Sequence, residues 1–180
     1  CHDGIPLLDL KGLLPEEEIQ SLIERIVSRG GMVKNLHGQK NLYYQVNATY
    51  YSALGESDEK MLLARAIQMF MPGKPQIWYL DLFAGKNDHE AVQRAGESGH
   101  KEINRTNLSV DQIAVGLKKD VVQKQLALIR MRNTHKAFSE GAEVTISGEE
   151  SSLEIRWEYD GAYAELHVNF EEGTYTIESN

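Results

Sequence analysis

The sequence predicts an α/β protein followed by a small antiparallel β domain. Three observations lead there. Apolar residues recur at helical spacing across 14–30, 57–71 and 121–133. A short apolar, aromatic run, Gln76-Ile77-Trp78-Tyr79-Leu80, follows the second helix directly, the pattern of a buried strand in an alternating fold. Beyond about residue 143 the period changes to strict alternation, with Asp160-Gly161 between two alternating runs.

The elements are justified in order. In 14–30, Ile19, Leu22, Ile23, Ile26 and Val27 form one face, Pro15 suits the first turn and Gly30-Gly31 the end. Residues 31–48 mix polar and aromatic side chains without a clean period and read as an irregular surface segment. The 57–71 helix takes Ser57 as N-cap and turns Leu62, Leu63, Ala66, Ile67 and Phe70 inward, and Pro72-Gly73 stops it. Residues 84–108 are polar with Gly85, Gly96 and Gly99, and read as a long functional loop. Ser109-Val110-Asp111-Gln112 is a capping box opening a short helix. The 121–133 helix buries Val122, Leu126 and Ile129. In the tail, Leu153, Ile155, Trp157 and Tyr159 alternate with polar residues, as do Ala164, Leu166, Val168 and Phe170, and 174–177 adds another strand. The boundary of this domain is expected near 139–143.

Composition narrows the function classes. With 180 residues, 41% of them hydrophobic, the chain can bury one moderate core, or a core with a small satellite. A net charge of −8 argues against nucleic acid as a partner. No apolar run reaches bilayer length and no signal peptide opens the chain, so no membrane partner is expected. The lone cysteine allows no internal disulfide, which fits a reducing, cytoplasmic setting. Position 1 is Cys and not Met, so a native translation start is not expected there. Cys1 as an N-terminal nucleophile finds no support downstream. His89 and His100 lack a third ligand at metal spacing, so no metal is expected, and the glycines form no phosphate cradle.

The chemistry-bearing residues open the chain, in Cys1-His2-Asp3-Gly4-Ile5. Alone, a histidine beside an aspartate marks a solvated turn. Its meaning comes from the segments that follow: Pro72-Gly73-Lys74-Pro75-Gln76-Ile77-Trp78-Tyr79, then Gly85-Lys86-Asn87-Asp88, then Glu102-Ile103-Asn104-Arg105. In this order and spacing they resemble the C-terminal part of sucrose phosphorylase and its relatives in glycoside hydrolase family 13, from residue 1 to about 138. The resemblance implies the C-terminal part of a (β/α)8 barrel with a small inserted subdomain, followed by the antiparallel β domain. Residues 1–4 would end barrel strand seven, 5–55 form the insertion with the acceptor loop, 56–138 supply the last barrel helices and strand eight, and 139–180 form the β domain.

The site roles are likewise what the resemblance implies. Asp3 is the transition-state-stabilising carboxylate, suited to an oxocarbenium-like state. His2 is a sugar-hydroxyl ligand. Arg105 binds outer hydroxyls of the glucosyl unit through its forked guanidinium. Tyr44 and Gln45, in Tyr44-Gln45-Val46-Asn47, face the leaving-group side, whereas Tyr50 and Tyr51 pack the insertion. The nucleophile and general acid lie before the His-Asp pair in that family and have no counterpart here. Partners are then a small sugar donor and inorganic phosphate, with no cofactor. One departure concerns the donor. An acidic residue common two positions before the tyrosine is replaced by Leu42, which places sucrose itself in question. Lys34, His37 and Lys40 flank that position; they read as solvated surface, with a phosphorylated or acidic leaving group as the alternative. Sucrose phosphorolysis leads, with sucrose 6-phosphate, glucosylglycerate or glucosylglycerol as other donors and a truncated non-catalytic product as a third class.

Overall fold

The structure, a computed structural model, describes residues 2–35 and 43–180, and the side chains of Lys34, Asn35, Tyr43, Tyr44, Glu97 and Ser98 fall outside that description. The expectations placed on Cys1, His37, Lys40 and Leu42 therefore lie outside the described residues. The chain divides into two compact units, Cys1–Ser57 with Ile77–Gly116, and Asp58–Gln76 with Leu117–Asn180.

The first unit contains a three-stranded antiparallel sheet in the order β1-β3-β2, from β1 (Ile5–Pro6), β2 (Met32–Asn35) and β3 (Tyr43–Asn47). The described parts of the expected irregular segment, Met32–Asn35 and Tyr43–Asn47, are thus strands. They conceal their period because the side chains that point inward at 45 and 47 are polar. Gln45, Val46 and Asn47 are all buried, and the amides of Gln45 and Asn47 take their hydrogen bonds from the chain itself. Helix α1 (Glu16–Ser28) packs Ile23 and Ile26 with Leu7, Val46 and Ala48. Leu22 and Val27, expected inward, stay partly exposed on the flanks of that face. Gly30 N–H donates to Val27 O and Gly31 N–H to Ile26 O, closing the helix where the glycine pair stands.

A strand at 76–80 is not formed. Residues 74–78 are irregular and α4 (Tyr79–Leu82) begins at Tyr79. A parallel strand needs a neighbour to satisfy its backbone. Among the described residues no strand pairs with this segment, and its groups bond locally: Leu82 N–H to Trp78 O, Phe83 N–H to Tyr79 O, and the Trp78 indole N–H to Asn104 O at 3.0 Å. The polar stretch 84–108 is not one long loop either. It folds as α5 (His89–Ala95), capped by Asp88 through Ala91 N–H, and a 3-10 helix, Gly96–Asn104. Ile103 is its fully buried anchor. Helix α6 (Val110–Gly116) opens on the reciprocal capping box: Ser109 N–H donates to Gln112 Oε1, and Gln112 N–H to Ser109 Oγ. The short α2 (Tyr50–Ala53) is capped by Thr49.

The second unit joins α3 (Asp58–Phe70) and α7 (Asp120–Thr134) to a four-stranded antiparallel meander: β4 (Glu143–Glu149), β5 (Ser152–Tyr159), β6 (Ala162–Asn169) and β7 (Thr174–Ser179), in that order. Residues 56–138 are therefore shared between the units. The inner face carries Ile155, Trp157, Ala164, Leu166 and Val168, as the alternation predicts. Asp160 (φ 46°) and Gly161 (φ 77°) both take the left-handed conformation that a two-residue hairpin of matching twist requires. Arg132 lies over both Phe138 (4.6 Å) and Trp157 (4.2 Å), and the Trp157 indole donates to Phe70 O.

Candidate active site

Asp3 is held from two directions. Its main-chain carbonyl accepts from the buried amides of β3, Gln45 Nε2 at 2.5 Å and Asn47 Nδ2 at 2.6 Å. Gly4 follows at φ 119°, a conformation open to glycine, and lets the chain turn from this anchor into β1. The carboxylate receives cations from the 3-10 helix and the residue after it. Lys101 Nζ donates to Oδ1 at 2.7 Å and Arg105 Nη2 to the same oxygen at 3.1 Å. His2 Nε2 lies 2.9 Å from Oδ2. Arg105 Nε also donates to His2 O at 3.1 Å. The Lys101 hydrogen bond holds the Asp3 carboxyl below the usual carboxylate range, against partial desolvation, and the charges of Lys101, His2 and Arg105 act in the same direction.

Second-layer contacts fix these groups. Trp78 stands 5.6 Å from the His2 ring and 4.5 Å from Tyr79, ring centre to ring centre. The Tyr79 hydroxyl donates to Thr106 O, next to Arg105, and burial raises its pKa. Asp88 accepts from the Thr106 hydroxyl, and its N–H donates to Ile103 O. Asn87 Oδ1 accepts from Thr49 N–H and Asp81 Oδ1 from Tyr50 N–H, so the 81–88 segment is tied to the residues just after β3.

The structure therefore brings His2, Asp3 and Arg105 together from positions about a hundred residues apart in sequence. Gln45 joins them differently from expectation, since its amide is buried and engaged by the Asp3 carbonyl. Tyr44 lies in β3, with its side chain outside the description. Sequence reasoning missed Lys101 and Asn47. No periodicity marks Lys101: it lies in a 3-10 helix, where i and i+3 align and i+4 does not, and Arg105 follows the end of that helix. Asn47 alternates with Gln45 on a strand and shares its face.

Elsewhere, Glu154, Glu165 and His167 sit close enough on β5 and β6 to be considered together as metal ligands. Arg156 pairs with Glu165 at 2.7 Å, and the His167 Nδ1 lies 3.5 Å from Glu154. No helix among the described residues is long and apolar enough to cross a membrane.

Comparison with known proteins is decisive here. The chain is 52% identical, over 98% of its length, to sucrose 6(F)-phosphate phosphorylase of Ilumatobacter coccineus, and 38% identical, over 98%, to sucrose phosphorylase of Agrobacterium vitis. It superposes on the crystal structure of sucrose 6F-phosphate phosphorylase from Thermoanaerobacter thermosaccharolyticum with a TM-score of 0.93, at 38% identity over 99% of the chain. The chain belongs to the sucrose phosphorylase family. It spans little more than a third of these relatives, 35% and 38% of the two proteins and 36% of the solved chain. No family model matches it. The helices and antiparallel sheets described above match those of this solved relative.

Proposed function

We propose that this chain is the C-terminal part of a retaining phosphorylase of glycoside hydrolase family 13 that moves a glucosyl unit from a sucrose-type donor to inorganic phosphate. Its segments would end strand seven of a (β/α)8 barrel (1–4), form an inserted subdomain (5–55), complete the barrel (56–138) and add the β domain (139–180). One observation carries the reading: Asp3 is an anchored carboxylate whose two oxygens are met by Lys101, Arg105 and His2.

In this reaction the glycosidic oxygen leaves protonated by an acid, a nucleophilic carboxylate takes the anomeric carbon, and a phosphate oxygen then displaces that carboxylate with retention. Both reacting carboxyls belong to the preceding part of the enzyme. Asp3 forms no bond and takes no proton. Its charge favours the positive glucosyl ring of both transition states. His2 and Arg105 bind glucosyl hydroxyls, and they stand beside Asp3 as that role requires. The 180-residue chain alone is then silent in glucosyl transfer.

The donor we assign is sucrose phosphorylated on its fructosyl unit. A relative at 52% identity is named for that compound, whereas at 38% identity one relative is named for it and one for sucrose. Leu42 in place of an acid, with Lys34, His37 and Lys40 around it, suits an anionic leaving group. The test is phosphate-dependent release of glucose 1-phosphate by the full-length protein from sucrose 6F-phosphate, sucrose, glucosylglycerol and glucosylglycerate. Highest kcat/KM on the phosphorylated sucrose is the expected result. Preference for sucrose would overturn the donor assignment, and no release from any donor would overturn the phosphorylase reading.

A further inference from the structure

We propose that Lys101 is a positioning residue for Asp3, keeping its carboxylate charged and in one orientation while His2 and Arg105 engage the sugar. The proposal rests on the phosphorylase reading for the sugar roles and on geometry for the rest. Three positive or potentially positive groups meet the Asp3 carboxylate. Arg105 divides its donors among Asp3 Oδ1, the His2 carbonyl and Glu102, and His2 is the most exposed of the three. Lys101 makes the shortest of these contacts, its ammonium donating to Asp3 Oδ1 at 2.7 Å. Glu102, beyond Arg105, completes the charged groups around the pair.

An ion pair between two freely moving side chains contributes little, because ordering them offsets the attraction. Here the fold has already ordered both ends. Gln45 and Asn47 fix the Asp3 backbone, and Lys101 stands two residues before the fully buried Ile103, whose carbonyl accepts from Asp88 N–H. Lys101 and Arg105 share Oδ1, leaving Oδ2 to His2. When a sugar draws Arg105 and His2 toward its hydroxyls, Lys101 remains on Oδ1. The carboxylate then keeps its plane and its charge as the glucosyl ring becomes positive.

The experiment compares Lys101→Met, Lys101→Gln and Lys101→Arg in the full-length protein, with two readouts. One is the titration of the Asp3 carboxyl, followed by NMR on aspartate-labelled protein and assigned with Asp3→Asn. The other is the acidic limb of kcat/KM. Loss of the ammonium should move the Asp3 titration upward by on the order of one pH unit, as for a carboxyl losing an adjacent cation. The acidic limb should follow, and Lys101→Arg should restore both. Lys101→Gln reads the same effect should the Met variant not fold. An Asp3 titration unmoved in a folded neutral variant would overturn the proposal. So would an equal shift in Lys101→Arg, which would mark the residue as a generic packing element. The titration needs no turnover, so it decides the role of Lys101 even where the donor panel defeats the phosphorylase reading.

Discussion

Replacing Gly4 by alanine should cost both stability and turnover, and the structure supplies the magnitudes. Gly4 has φ 119°, a conformation that costs an L residue about 1–3 kcal/mol. A Cβ there would stand 2.7 Å from Val46 O and 3.0 Å from Asn47 Nδ2, where ordinary contact begins at 3.4 Å. The turn must open by 3.4 less 2.7, or 0.7 Å, against backbone that cannot rotate away. That movement loosens the bonds from Gln45 and Asn47 to the Asp3 carbonyl, each worth about 0.5–1.5 kcal/mol. Strain and lost bonds together come to about 2–6 kcal/mol. A displacement approaching 1 Å at a charge-stabilising group lowers kcat by about a hundredfold. Gly12→Ala is the control. Its φ is 84°, but a Cβ there meets nothing within 4 Å, so it should cost only about 1–2 kcal/mol and leave kcat alone. Denaturant unfolding and steady-state kinetics on both variants of the full-length protein make the comparison. If Gly4→Ala behaves like Gly12→Ala in both assays, the coupling from β3 through the Asp3 backbone to the site is refuted.

Asp3→Asn should lower kcat by at least two to three orders of magnitude, on the scale of losing one preorganised electrostatic contact, with an unchanged circular dichroism spectrum; retention of a tenth of the activity would remove Asp3 from its role. Arg105→Ala should raise KM and lower kcat together, measured against both donor and phosphate, since it touches the carboxylate and the His2 backbone. The Asp3 carboxyl lies below its ordinary value of 3.8, so its ion pairs contribute fully above that value and are lost as pH falls through the lower folded-state value. The Asp3 carboxyl carbon should therefore titrate with a midpoint below 3.8, and a midpoint above that would contradict the geometry. Leu166→Ala, at a position with 0% exposure on the inner sheet face, should destabilise the protein by about 2–5 kcal/mol in denaturant unfolding without altering KM.

Legibility of the fold followed the polarity of its interiors. Helix α1 and the β4–β7 meander turn apolar faces inward, so their periods stand out in the sequence; α3 and α7 were located, but buried Arg65 and Gln125 occupy their inward faces, and Leu63, Ile67, Leu126 and Ile129 are only half-buried. The hairpin at Asp160-Gly161 and the box at Ser109–Gln112 are local chemistry and were readable for the same reason. Strands β2 and β3 were not, because Gln45 and Asn47 occupy the inward positions that alternation would assign to hydrophobes. The 84–108 stretch hid two short helices, since among the described residues Ile103 is the only fully buried apolar side chain along α5 and the 3-10 turn. At 76–80 the run was read as a buried strand; Gln76 is exposed, Ile77, Trp78 and Tyr79 are half-buried and Leu80 is buried, and a strand is a property of a pair, with no described strand pairing with this segment. At the site, resemblance located His2, Asp3 and Arg105, whereas Lys101 and Asn47 emerged only from coordinates.

Both units bury polar side chains, and where their hydrogen bonds end separates two uses. In the second unit Arg65, 5% exposed, donates through Nε to Oε1 of the fully buried Gln125 at 2.8 Å, and also to Gln68. Those bonds run between side chains of α3 and α7, or within α3, so they select how two helices meet. In the first unit Gln45 and Asn47 end on a backbone carbonyl, that of Asp3, whose own side chain is left partly exposed and surrounded by cations. Buried amides there do not select a packing partner. They hold the main chain at one charged residue through directional bonds from their N–H donors to that single atom, while the buried Asn47 Oδ1 finds no partner among the described residues. A carboxylate fixed through its backbone by neutral donors keeps its charge free for other groups. Orientation comes from Gln45 and Asn47, while the charge of Asp3 answers to Lys101, Arg105, His2 and a cationic glucosyl ring. That division is what electrostatic stabilisation of a transition state demands, because a group that must reorganise to meet developing charge loses much of its advantage.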